Sequence, residues 1–151
     1  MKPPVNIDDL LEEWVKDAVI DETEPMKALL KISSIHAKYL RILTHHNLII
    51  KKLTIDYNKL KNIKVSYYSG DLNNPEDLKE YGFEPMMKKL EHKSHLAIYL
   101  DGDNDLNTIL IKRVIHQEIV DTCDMILKEI NNRTYQLSNI VKWELYLKGD
   151  K

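Results

Sequence analysis

The chain is poor in the residues that cross-link or punctuate a fold. Its 151 residues include one cysteine, four glycines, five prolines and one phenylalanine. Cys123 cannot close an internal disulfide, which fits a reducing cytosol. No apolar run approaches the roughly 18 residues of a membrane span. The start, Met1-Lys-Pro-Pro4, leads into acids rather than the apolar core of a secretory signal, so no membrane partner is expected. A large excess of either charge is missing as well: 22 basic against 24 acidic side chains leave a net charge of -2. That excludes a bulk polycation, so any nucleic-acid contact must come from charge segregated along the chain. There is no phosphate-cradling glycine-rich loop, no Gly-x-Ser-x-Gly and no His-Glu-x-x-His. The expectation is a protein without catalytic activity, cofactor or metal.

What remains is rich in Leu, Ile and Lys, and it reads as helices. The fold class expected is mainly all-α, with elongated, coiled-coil-like packing of a long-helix hairpin around a short irregular middle segment. Residues 1–100 form a region carrying a long basic helix, and residues 101–151 form a C-terminal region used for oligomerisation. Residues 1–6 are expected to fray. Asn6 or Asp8 caps a short helix with Leu10 or Leu11, Trp14 and Ala18 on one side. Asp21-Glu-Thr-Glu24 breaks the pattern, and Pro25 suits the first turn of a new helix.

From Met26 to Tyr68 there is neither Pro nor Gly. Leu29, Ile32, His36, Tyr39, Leu43, His46, Ile50, Leu53, Tyr57, Leu60, Lys64 and Tyr67 alternate steps of three and four, and Ile35, Ile42, Ile49 and Ile63 widen the seam. This pattern implies a rod of about 60 Å packed against a partner helix, with Gly70 as its stop. Asn74-Pro-Glu-Asp77 reads as a cap and first turn, Gly82 as the end of a short helix, and Phe83-Glu-Pro85 as a turn. Leu96-Ala-Ile-Tyr-Leu100 is read as an extended or irregular packed segment. A last helix follows Asp101-Gly-Asp-Asn-Asp105, with a seam of Leu106, Ile109, Arg113, His116, Val120, Cys123, Leu127, Ile130, Thr134, Leu137 and Val141. Ile119, Ile126, Ile140 and Leu147 broaden it, and Trp143, Leu145 and Tyr146 make its end apolar nearly all round. Asn131-Asn-Arg133 could loosen or bend this helix, and Gly149 ends it. Ile119, Cys123, Ile126, Ile130, Leu137, Ile140, Val141, Trp143 and Leu147 are therefore the candidate oligomerisation residues, because more apolar surface than one partner can cover usually meets another chain.

Several constellations read as structure. The aspartates at 101, 103 and 105 alternate as in a calcium loop, but Leu106 and Lys112 stand where that loop needs Gly and Glu, so helix capping is the reading. His45 and His46 point about 100° apart on a helix, and His92 and His95 lack a third ligand, so all four are surface or seam residues. Cys123, on an apolar seam, is a small hydrophobe rather than a nucleophile.

The basic face is different. Between Lys38 and Lys64 the bases Lys38, Arg41, Lys51, Lys52, Lys59, Lys61 and Lys64 face one acid, Asp56. They lead into Tyr67-Tyr-Ser-Gly70, and cations beside aromatic rings suit single-stranded nucleic acid. Lys51, Lys52, Lys59, Lys61, Lys64, Tyr67 and Tyr68 are the candidate DNA-binding residues. A solvated helix face with two packing tyrosines is the plainer alternative, and Tyr67 continues the seam, which favours packing.

Four ordered blocks also resemble the UvsY family of recombination mediators, found in T-even-type and marine cyanophage-like phages. They are Asp9-Leu10 with Glu13-Trp-Val-Lys-Asp-Ala-Val-Ile-Asp21, the basic helix ending in Tyr67-Tyr-Ser-Gly70, Tyr99 to Asp105, and Ile130-Asn-Asn-Arg-Thr-Tyr-Gln-Leu137 with Ile140 to Trp143. Residues 71–97 match least. The resemblance implies a non-enzymatic protein that binds single-stranded DNA, helps displace the phage single-strand-binding protein and loads a UvsX-like phage recombinase. It would act in the cytoplasm of the infected bacterial host, as a homo-oligomeric ring of about six or seven copies closed through the C-terminal region. The family's DNA contacts centre on basic residues just before Tyr-Tyr-Ser-Gly. Lys64 stands at one such position, while the position two residues earlier is Asn62, and Lys61 beside it points about 100° away. A helical scaffold or adaptor that binds only protein is the alternative from another class, and a small metal-dependent enzyme using the histidines is a third.

Overall fold

The structure is a computed structural model, described over residues 6–86, 90 and 93–149. The expectations for residues 1–5 and for His92 lie outside the described residues. The fold is all-α: α1 (Ile7–Asp17), α2 (Pro25–Tyr68), α3 (Pro75–Tyr81), a 3-10 turn at Lys93–His95, α4 (Leu96–Asp101) and α5 (Asn104–Gly149). Two compact units divide it, one built from the chain up to Leu48 and from Ile115 on, the other from Ile49–Val114.

Local chemistry accounts for the boundaries. Asn6 caps α1, its side-chain oxygen accepting from the Asp9 N–H at 2.8 Å. Asp21 ties the following turn by accepting from the backbone N–H and the hydroxyl of Thr23, and Pro25 opens α2. At the far end of α2, Gly70 takes a left-handed φ of 83° and the Leu72 N–H donates back to the Ser66 carbonyl. Asn74 caps α3 by accepting from Glu76. Left-handed Gly82 ends it with the paired Phe83→Leu78 and Gly82→Lys79 backbone bonds of a Schellman motif.

In the first unit α1, the early part of α2 and the later part of α5 enclose one core. Leu10, Tyr39, Ile42, Ile119, Cys123, Ile126 and Ile130 are buried there, with Ile7, Trp14, Ile32, Ile35, Leu43 and Leu127 against them. Trp14 meets the Tyr39 ring edge-on, with centroids 5.6 Å apart. In the second unit the later part of α2 and the early part of α5 bury Leu106 and Lys64, and α3 contributes Leu78. In both units α2 and α5 run antiparallel, and every residue of the two three-four seams is buried or half-buried.

One expectation changes. The segment at 96–100 is helical, not extended or irregular. Leu96 and Leu100 are its half-buried positions while Ala97, Ile98 and Tyr99 are exposed; a strand would turn Ile98 to the same side as both leucines, whereas a helix turns it away. Asn131–Arg133 lies within α5, which is helical from Asn104 to Gly149. The Thr134 hydroxyl bonds back to the Ile130 carbonyl there, and Arg133 is held by the Ala18 carbonyl and lies 5.1 Å over the Trp14 ring.

Candidate nucleic-acid interface

The basic helix does not present its cations uniformly. Lys51, Lys52, Lys59 and Lys61 are exposed on α2. Lys38 is not free: its ammonium lies 2.7 Å from Glu13 and 2.6 Å from Asp17, both on α1. Burial works against the charged amine, but the bonds to Asp17 and Glu13 outweigh it and hold Lys38 above the usual lysine range.

Lys64 is committed further. Its side chain is 6% exposed, and its ammonium lies 3.0 Å from Asp103 and 2.8 Å from Asp105. The Phe83 ring centroid is 4.1 Å from the same ammonium. Asp103 also accepts from the Tyr68 hydroxyl at 2.6 Å and, at 2.9 Å, from the Leu106 N–H as it caps α5. Burial would push the Asp103 carboxyl up, yet Tyr68, Leu106 and Lys64 together hold it below the usual carboxylate range. The Tyr68 phenol is driven up by burial and by its bond to Asp103. Burial also opposes the Lys64 cation, and its bonds to Asp105 and Asp103 overcome that. The acidic run read as a cap is thus both a cap and the counter-charge of the last lysine of the basic stretch.

The paired tyrosines pack. Tyr67 donates to the Glu84 carbonyl and lies 5.0 Å from both Tyr68 and Phe83 between ring centroids. Tyr68 also meets the Tyr99 ring at 5.5 Å. Asn62 is exposed beside Lys61, whose ammonium lies 6.0 Å from the Tyr57 centroid. Arg113 reaches the same ring from α5, its guanidinium carbon 5.9 Å from the centroid. Its place in the seam hid it from a count of basic residues along α2, and the signal was a cation at a seam position.

The candidate oligomerisation residues fall into two groups. Ile119, Cys123, Ile126, Ile130, Leu137 and Val141 are buried within the chain, and burial alone pushes the Cys123 thiol up to about 11. Ile140, Trp143 and Leu147 are exposed, as are Leu145 and Tyr146, with Trp143 stacked on Tyr146. Among the described residues no group of three His, Cys, Asp or Glu could hold a metal, and no helix is long and apolar enough to cross a membrane. His46 and His116 lie with their Nδ1 atoms 2.8 Å apart, within hydrogen-bond distance.

The family model described as "Recombination, repair and ssDNA binding protein UvsY" matches residues 13–150. The chain belongs to the UvsY family. Crystal structures of the bacteriophage T4 recombination mediator protein UvsY share its fold. The lattice type II structure is 20% identical and covers 96% of this chain and 99% of that one, with a TM-score of 0.81. The type I structure is also 20% identical, covering 91% and 98% at a TM-score of 0.78. The type IV structure is 17% identical, covering 92% and 96% at 0.74. No curated protein sequence matches the chain. The α1 carboxylates that hold Lys38 and the aspartates that hold Lys64 both fall within the stretch matched to the UvsY family.

Proposed function

We propose that this chain is a recombination mediator. It binds single-stranded DNA, displaces the phage single-strand-binding protein and loads a UvsX-like recombinase in the cytoplasm of the infected bacterium. Membership of a family of single-stranded-DNA-binding proteins supports the reading. The observation that carries it to particular residues is the contrast along α2: Lys51, Lys52, Lys59 and Lys61 are exposed, while Lys38 and Lys64 are held by carboxylates.

In this reading the four exposed lysines grip phosphates and read no sequence. Lys64, Tyr67 and Tyr68 serve the track from behind, by fixing the end of α2 against Phe83 and Asp103. Each phosphate neutralised on a single strand contributes about 0.7 to the salt slope, so four lysines give about -3 per protomer. That is weak binding for one chain, and repetition in a ring of about six or seven protomers raises it by avidity. Exposed Ile140, Trp143 and Leu147 seal the ring, while the buried part of the α5 seam holds the helix to its own chain.

The test is titration of a labelled single-stranded oligonucleotide at two salt concentrations, for the wild type and for a variant with Lys51, Lys52, Lys59 and Lys61 changed to glutamine. The wild type should bind with steep salt dependence, and the variant should lose most of both affinity and slope. An unchanged variant removes the track. A wild type that ignores DNA at low salt returns the chain to a protein-binding scaffold.

A further inference from the structure

The unit at 49–114 brings Arg113 to two side chains of α2 that lie about fifty residues earlier in the sequence. Tyr57 is half-buried on α2, and one turn later Lys61 sets its ammonium 6.0 Å from the ring centroid. Arg113, on the antiparallel stretch of α5, sets its guanidinium carbon 5.9 Å from the same centroid. We propose that Tyr57, Lys61 and Arg113 form a one-nucleotide clamp, in which an unpaired base stacks on the tyrosine and the two cations hold the phosphates beside it. The clamp rests on the single-stranded-DNA reading above. It goes further by giving the strand a base contact and by drawing α5 into the binding surface.

Electrostatics separates this cluster from the other lysines that touch aromatic rings. Lys38 lies near Tyr39 and Lys64 near Phe83, but each also carries two carboxylates within ion-pair distance. Among the described residues no carboxylate pairs with Lys61 or Arg113. Asp56, the nearest acid in sequence, points about 100° around the helix from Tyr57. Two cations converging on one ring with only the ring quadrupole between them make a spot that attracts an anion. A contact of that kind near 6 Å is weak, so a phosphate can replace it without a structural penalty. The two cations are complementary, since an ammonium acts as a point charge and the guanidinium fork can take two phosphate oxygens. A partly buried tyrosine is a stacking platform already held in place, and every base offers it a π-face.

The experiment compares two labelled strands of equal length, oligothymidylate and an abasic deoxyribose-phosphate chain, by fluorescence anisotropy. The proteins are the wild type, Tyr57→Leu, Tyr57→Phe and Arg113→Gln, each checked for helical circular dichroism and assembly size. The wild type should prefer the strand with bases by roughly fivefold or more. Tyr57→Leu should lose that preference and Tyr57→Phe keep it. Arg113→Gln should weaken both strands alike and lower the salt slope by about 0.7 per protomer engaged. A wild type indifferent to bases, a Tyr57→Leu protein that keeps the preference, or an unchanged slope in Arg113→Gln would overturn the clamp. Salt-dependent binding by the wild type in any of those cases leaves the lysine track standing. A wild type that binds neither strand overturns both.

Discussion

Replacing Lys64 with methionine should cost stability and barely touch DNA affinity, and Lys59→Met should do the reverse. The Lys64 and Asp103 side chains are 6% and 2% exposed, with the ammonium and carboxylate 3.0 Å apart. Removing one partner of so buried a pair typically costs about 3–5 kcal/mol, because the other charge is left behind. Three features lower that figure here. Asp105 is 61% exposed, so its arm of the bridge is screened by water. Asp103 keeps the Tyr68 hydroxyl and the Leu106 N–H as donors. Methionine also refills much of the space of the lysine stem beside Phe83. The expected loss is about 2–3 kcal/mol at neutral pH. For a chain of this length that lowers the melting temperature by roughly 4–12 °C. Thermal unfolding followed by circular dichroism at fixed protein concentration gives the first quantity, and anisotropy on a single-stranded oligonucleotide gives the second. If Lys64→Met melts with the wild type yet loses as much affinity as Lys59→Met, Lys64 is a DNA ligand and its ion pair is incidental.

The same network sets an acid limit. The Asp103 carboxyl titrates below its unfolded value, so its contribution is full above about pH 4 and is lost as pH falls further. Denaturant titrations between pH 7 and pH 3 should therefore show a steeper loss for the wild type than for Asp103→Asn, and parallel curves would remove the linkage. His116 behaves likewise at a higher pH. Burial, then the nearby His45, hold it below its usual range, so its contribution is full above about pH 6.5 and declines as pH falls. His116→Asn should flatten the stability profile between pH 7.5 and 5.5, and a profile as steep as the wild type's would contradict that. Changing Ile140, Trp143 and Leu147 together to serine should leave the melting temperature within a few degrees, because all three are exposed, while reducing the native mass. A variant that keeps the full assembly would place the contact elsewhere.

The helix seams were legible because burial on one side of a long helix leaves a periodic trace. Every residue from Leu29 to Tyr67 assigned to the α2 seam is buried or half-buried, Lys64 and His46 among them. The caps at Asn6 and Asn74 and the stops at Gly70 and Gly82 were legible for a different reason, since their chemistry lies within six residues of chain. The helix at 96–101 was not, because six residues hold too few turns for a period to declare itself. The candidate site was legible as a list of cations and not as a surface. Glu13 and Asp17 meet Lys38 across 25 and 21 positions, and Asp105 meets Lys64 across 41. No count made along one helix registers such partners.

Those distant acids change what the basic helix has to offer. Seven bases against one acid suggest a single cationic face from Lys38 to Lys64. With the two end lysines bound to carboxylates, the exposed bases of the stretch contract to Arg41, Lys51, Lys52, Lys59 and Lys61, and in the 49–114 unit Arg113 adds a cation beside Tyr57. Each locked cation holds α2 to another part of its own unit. Cations left open between them keep their hydration and their mobility, which suits a strand that must be gripped and then handed on. A binding surface of four or five open charges is too weak to retain DNA as one copy, yet strong when repeated around an assembly. Weakness per subunit is therefore a requirement of the proposed function: a mediator that held each nucleotide tightly could not surrender the strand to a recombinase.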